Sequence, residues 1–211
     1  MPLRTNPFRA PFPRRLLVRI HLDLLKMDRC VTRWSDYPDH LDMIEIMVLI
    51  SEDRRFFRHN GVDWWSVGRV LFGALKFHIH GGASTIDMQF VRTATGFYER
   101  SIRRKLYEML LARIIQYRYS KIQILRSYLS IAFFGSGIYG TDKASIAALG
   151  VSKYGVNIVG AAVVASMLVY PRPLVPDQRW LANITRRSNY LLSLYPSLKQ
   201  RFEKLPRWDA I

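Results

Sequence analysis

Ser51-Glu52-Asp53-Arg54-Arg55-Phe56-Phe57-Arg58-His59-Asn60-Gly61-Val62-Asp63 crowds three acids, four bases and two aromatic rings into thirteen residues, directly after the apolar run 40–50. Such density is unusual for a solvated loop. Glu52 falls where the apolar segment meets the charged turn, a setting in which partial burial would suit a carboxylate to general-base work. The residue types alone equally allow a helix-end carboxylate paired with Arg55, worth little at a surface.

Outward from this stretch, apolar residues recur at spacings of three and four through segments 63–78, 98–119, 121–134, 142–153, 158–170 and 179–194. That period is helical, and strand-like alternation is absent. Breaks fall at Asn60-Gly61, Gly81-Gly82, Gly135 to Gly140, Gly155 and the Pro171, Pro173, Pro176 cluster. Ser120 with Gln123 three residues on resembles a capping box that opens a helix. Upstream, Leu16, Leu17, Ile20, Leu24 and Met27 mark one amphipathic helix within a basic N-terminal arm, 1–39. Residues 40–211 are expected to form one all-α domain, with about seven to nine helices in the whole chain.

The 32 Lys and Arg against 16 Asp and Glu give a net charge of +16, which favours phosphate-rich partners, nucleic acid or an anionic membrane. No helix-turn-helix, zinc or stacking-sheet signature supports nucleic acid. His78 and His80 have no third ligand at metal spacing, and the single Cys30 makes no internal disulfide. The longest uncharged run, Ile158 to Tyr170, falls short of the ~20 apolar residues needed to span a bilayer. Arg14 to Asp28 is interrupted by Arg19, His21, Asp23 and Lys26, unlike the apolar centre of a signal peptide.

Glu52, Asp53, Phe56, His59, Gly61 and Asp63 fit the pattern E-D-x-x-F-x-x-H-x-G-x-D, the first motif of the peptidoglycan glycosyltransferases, family 51. Four further blocks follow in that family's order. Gly82-Ala83-Ser84-Thr85-Ile86 with Gln89 resembles the second and Arg104-Lys105-Leu106-Tyr107-Glu108 the third. Lys121 through Tyr128-Leu129 to Gly150 resembles the fourth, and Ala161-Ala162 to Pro171 the fifth. The resemblance implies a lysozyme-like, all-α transglycosylase domain over 40–211 with a membrane-facing helical subdomain. It implies that Glu52 takes the proton of the acceptor 4-hydroxyl, which attacks the anomeric carbon of a glycan on polyprenyl diphosphate, with inversion. Glu108 is then the second catalytic glutamate, arranging the diphosphate directly or with a divalent ion such as Mg²⁺. On spacing alone Glu108 reads as the surface partner of Arg104, four residues before it.

By position Asp53, Arg69, Ser84, Gln89, Arg92, Arg100, Arg104, Lys105 and Lys121 are the substrate-binding residues that the resemblance implies. No protein metal ligands and no required cofactor follow from it. The implied partners are a lipid-linked disaccharide precursor of the lipid II type, the growing glycan chain, an anionic membrane surface and other cell-wall synthesis proteins, with no nucleic acid. The implied place is the bacterial inner membrane, peripheral or partner-anchored, on its outer face. Trp64 to His78 would touch lipid in the family; periodicity alone allows core packing equally well. Departures are Asp87 and Met88 in place of a threonine and a glutamine, Arg92-Thr93 in place of K-N, and Ser130 in place of an asparagine. They leave open a member that binds lipid-linked glycan without polymerising it. Two carboxylates would also serve glycan hydrolysis.

Overall fold

The computed structural model describes residues 12–31, 40–75 and 84–203. Among these the chain forms nine α-helices and one short hairpin, the all-α architecture that the sequence predicts. The helices are α1 (Phe12–Val31), α2 (Met43–Glu52), α3 (Trp64–Leu75), α4 (Ile86–Thr95), α5 (Ile102–Ile115), α6 (Lys121–Ile131), α7 (Thr141–Leu149), α8 (Ile158–Ser166) and α9 (Gln178–Glu203). Single 3₁₀ turns occupy Phe56–Arg58 and Lys153–Gly155. No helix of the described residues is long and apolar enough to cross a membrane.

The centre is α2, largely apolar apart from Glu45, with Ile44 to Ile50 all buried, so it is wrapped rather than half-exposed. It packs on α8 and α9. Its start is fixed by a reciprocal capping box: the Glu45 amide donates to Asp42 Oδ1 at 2.8 Å, and the Asp42 amide donates to Glu45 Oε2 at 2.9 Å. Burial raises the Glu45 pKa and Asp42 adds to the rise, while Arg126 of α6, 2.8 Å away, draws it back down. The box expected at Ser120 and Gln123 forms at the start of α6.

α1 presents part of the predicted stripe to the core, with Met27 buried and Ile20 and Leu24 packed against the cluster that includes α4, α5 and α6, whereas Leu17 at the other end of the stripe is 64% exposed. α3 covers 64–75 of the expected 63–78; Lys76, Phe77 and His78 lie outside the described residues, as do His80, Gly82 and Ala83. α9 runs past the expected stop at 194 with Pro196 inside it, losing one backbone donor without ending.

Two features differ from the sequence reading. α4 has no counterpart in it, because the helix is ten residues long and five polar side chains interrupt the apolar period. The end of the segment 121–134 is strand: α6 stops at Ile131, and Phe133–Gly135 (β1) pairs antiparallel with Ile138–Tyr139 (β2). Strands of three and two residues are too short to carry a legible alternation.

Candidate active site

Glu52 is the last residue of α2, where the capped, buried helix delivers it to the edge of the core. Asp53 turns inward behind it. Its carboxylate lies 3.0 Å from His59 Nε2 and accepts from the Ile86 amide at 3.1 Å, the first amide of α4. The Thr85 hydroxyl, which caps α4, donates to the Gly61 carbonyl at 2.6 Å. The charged turn and the start of α4 are therefore tied together twice. Gly61 itself needs a backbone φ of +84°, and a Cβ there would come within 2.2 Å of the Ala112 carbonyl oxygen, which seats the turn on α5.

That tie brings Gln89 of α4 to the glutamate. Gln89 Nε2 donates to Glu52 Oε2 at 3.2 Å, while its Oε1 accepts from the Tyr128 hydroxyl of α6 at 2.5 Å. Burial pushes the Tyr128 pKa up and the Glu52 charge pushes it further, so the phenol stays a donor. From the other side the Ser51 hydroxyl donates to Glu52 Oε1 at 2.8 Å and accepts from Arg187 of α9 at 2.9 Å. Arg187 itself lies 3.9 Å from Glu52 Oε1. Arg55, the alternative partner that the sequence allows for Glu52, pairs with Asp63 at 3.1 Å.

Glu108 is 1% exposed, which excludes the surface-pair reading. Arg104 donates to its Oε1 at 2.5 Å, with Arg92 Nε 3.8 Å from the same oxygen and Lys105 Nζ 3.8 Å from Oε2. Lys105 also donates to the Ser84 hydroxyl at 2.6 Å. Burial lowers the Lys105 pKa; Glu108 raises it partway back, and Arg92 and Arg104 lower it again. Three cations around one carboxylate leave excess positive charge, the electrostatics of a phosphate site rather than of a neutral ion pair.

α4 joins the two groups. Gln89 and Arg92 are three residues apart on one face of it, about 4.5 Å along the axis, and the first touches Glu52 while the second faces Glu108.

The remaining predicted residues lie elsewhere. Lys121 turns into the interior, 3.0 Å from Asp87 and 4.3 Å from the centre of the Phe56 ring. Burial lowers its pKa and raises that of Asp87, and each charge partly restores the other. Asp87, fully buried, also accepts from Gln116 and lies 3.9 Å from His59 Nδ1. Met88 is fully buried as well, so both second-motif departures point into the core. Arg69 on α3 and Arg100 before α5 are exposed, with no ion pair among the described residues. Arg187 has no counterpart in the motif reading: it belongs to α9, beyond the matched blocks, and nothing in its local sequence marks it. Tyr128 stands within the fourth block, where the motif order signals it.

A divalent ion fits these residues poorly. Magnesium prefers carboxylate and phosphate oxygens, and Glu108 is the one acid among Arg92, Arg104 and Lys105. Asp53, His59 and Asp87 bring ligand atoms within 4.8 Å of one another. However, Asp53 faces Nε2 and Asp87 faces Nδ1, so the acids flank the ring instead of converging on one point.

Residues 21–195 match the family model described as Transglycosylase. The chain is 34% identical over 183 residues to the biosynthetic peptidoglycan transglycosylase of Rhizobium meliloti, covering 82% of this chain and 78% of that protein. It is 33% identical over 147 residues to penicillin-binding protein 2a of Streptococcus pneumoniae, covering 70% of this chain and 20% of that one. Against penicillin-binding protein 1A of Clostridium tetani the identity is 33% over 144 residues, 66% of this chain and 18% of the other. The chain thus spans about a fifth of the length of these two larger relatives.

Proposed function

The chain belongs to the transglycosylase family, and from that premise we propose that it polymerises a lipid-linked disaccharide precursor of the lipid II type into glycan. Glu52 takes the proton of the acceptor 4-hydroxyl as the oxygen bonds to the anomeric carbon of the donor. The bond from that carbon to the diphosphate breaks with inversion, and the electron pair leaves on the polyprenyl diphosphate. Gln89, Ser51 and Arg187 hold Glu52 in place. Arg92, Arg104 and Lys105 meet the charge that develops on the leaving group, as preorganised dipoles and cations do most effectively. Glu108 is their counter-ion and fixes their positions.

The observation that carries this reading is the shared face of α4, on which Gln89 touches Glu52 and Arg92, three residues on, faces Glu108. The proposed substrate and the net charge of +16 support work at an anionic membrane, in this reading the outer face of the bacterial inner membrane. Other cell-wall synthesis proteins are the natural partners there. The experiment is incubation of the protein with lipid-linked disaccharide, with products resolved by length. Chains that lengthen with time are expected; shortened glycan would indicate hydrolysis, and Glu52→Gln should stop elongation.

Asp87 favours a second reading, binding without polymerisation, since it draws Lys121 away into the core. Donor binding by a wild type that makes no polymer would decide for it.

A further inference from the structure

α1 carries a second apolar stripe. Besides the face that Met27 gives to the core, Val18, Leu22 and Leu25 remain 59%, 52% and 41% exposed. With Thr95 at the end of α4 and Gly96 and Phe97 in the turn beyond it, they line a cleft of about 700 Å³. The Arg19 guanidinium lies 4.4 Å from the Phe97 ring centre and 4.9 Å from that of Tyr107, bracing the cleft wall against α5.

The rim is basic. Asp23, the one acid lining the cleft, is taken by Lys26 at 2.8 Å, Arg19 at 3.8 Å and the Tyr107 hydroxyl at 2.9 Å. Arg14, Arg15 and Arg29, all exposed, make no ion pair with a described acid. Cations therefore stand at both ends of an apolar strip, Arg14 and Arg15 before it and Arg29 beyond it. An apolar trough with positive ends complements a molecule with a hydrocarbon chain and a negative head. A second copy of this basic chain would meet like charge instead.

We propose that the cleft between α1 and the turn at Thr95–Phe97 binds an anionic phospholipid of the bilayer, one acyl chain lying along Val18, Leu22, Leu25 and Phe97 and the phosphate meeting the free guanidinium groups. α1 then lies in the plane of the headgroups rather than across the membrane. The inference rests on the membrane-surface reading above, but not on the chemistry of Glu52.

The test is flotation of the full chain with vesicles of phosphatidylglycerol and phosphatidylcholine, against phosphatidylcholine alone, without glycan substrate. Wild type should bind the anionic vesicles preferentially. Replacing Arg14, Arg15 and Arg29 together by Gln should weaken binding more than tenfold, at about fivefold for each cation. Leu22→Glu should weaken it at least tenfold with an unchanged melting temperature, and Leu174→Glu, at a still more exposed leucine away from the cleft, should not. Equal binding to neutral vesicles overturns the proposal. So does loss in the arginine variant with none in Leu22→Glu, since charge would then act without the cleft. A lipid-free dimer that Leu22→Glu dissociates overturns it in favour of a second copy. A parallel polymerisation assay with detergent-dispersed substrate separates the two readings, because absent polymer with intact vesicle binding would count against the transferase alone.

Discussion

Lys105 is half-buried between Ser84 and Glu108, and burial is the largest cause holding its pKa below that of an ordinary lysine. A base with a depressed pKa sheds its proton earlier as pH rises, so the anion pocket weakens on the alkaline side. The alkaline limb of kcat/KM should move to higher pH in Lys105→Arg, whose guanidinium does not titrate in this range. An unmoved limb would assign that ionisation to another group. At Glu108, a neutral Gln leaves Arg92, Arg104 and Lys105 to repel one another. Glu108→Gln should lower stability by about 1–3 kcal/mol, less than a fully buried pair would lose because the cations are partly solvated. It should also cut turnover more than donor affinity, which calorimetry and kinetics on the same variant would separate. Glu52→Gln keeps the volume and removes the proton acceptor, with an expected rate loss of roughly 10²–10⁴ and little change in melting. The glutamates and their cations are legible in motif order. Arg187 is not, because its meeting with Ser51 joins residues 136 positions apart and depends on α9 folding back on α2.

At the scale of elements, the first-motif turn is held by backbone geometry as much as by side chains. Gly61→Ala combines a disfavoured φ with a clash against α5, and a loss of roughly 1–3 kcal/mol is expected in denaturant melts. Glu52 and Gln89 should then separate, so activity should fall faster than stability. Asp63 opens α3, accepting from the Ser66 hydroxyl at 2.7 Å and the Trp65 amide at 3.2 Å. Burial alone would raise its pKa, but the two Ser66 hydrogen bonds and then Arg55 bring it below the usual carboxylate value. A carboxylate lowered on folding stabilises above its unfolded pKa, and that contribution disappears as pH falls through the folded value. Asp63→Ala should therefore cost about 1 kcal/mol at neutral pH and progressively less in acid. Most helices are legible because their apolar faces repeat over several turns. α4 is hidden because polar residues, among them Gln89 and Arg92 that meet the site, break its apolar period, and the hairpin because two and three residues show no period.

For the molecule as a whole, the net charge of +16 should steer the proposed anionic, lipid-linked substrate before any specific contact forms. Raising ionic strength should raise KM while leaving kcat nearly constant, because screening acts on encounter and far less on the partly buried Arg104 and Glu108 pair. A kcat that fell in parallel would place the salt-sensitive charges at the chemical step instead.

The face shared by Gln89 and Arg92 also bears on how such a site can be altered. Because one helix carries a contact to Glu52 and a contact to Glu108, which the proposed reaction assigns to the attacking and the departing sides, a sequence change that rotates or slides α4 shifts both at once. Substitutions at Phe90 or Val91, buried on that helix, should trade acceptor and donor performance together. Retuning one partner alone requires changes on α2, α5, α6 or α9. A library confined to α4 would explore a single coupled axis, whereas one that pairs α5 with α9 would explore two independent ones.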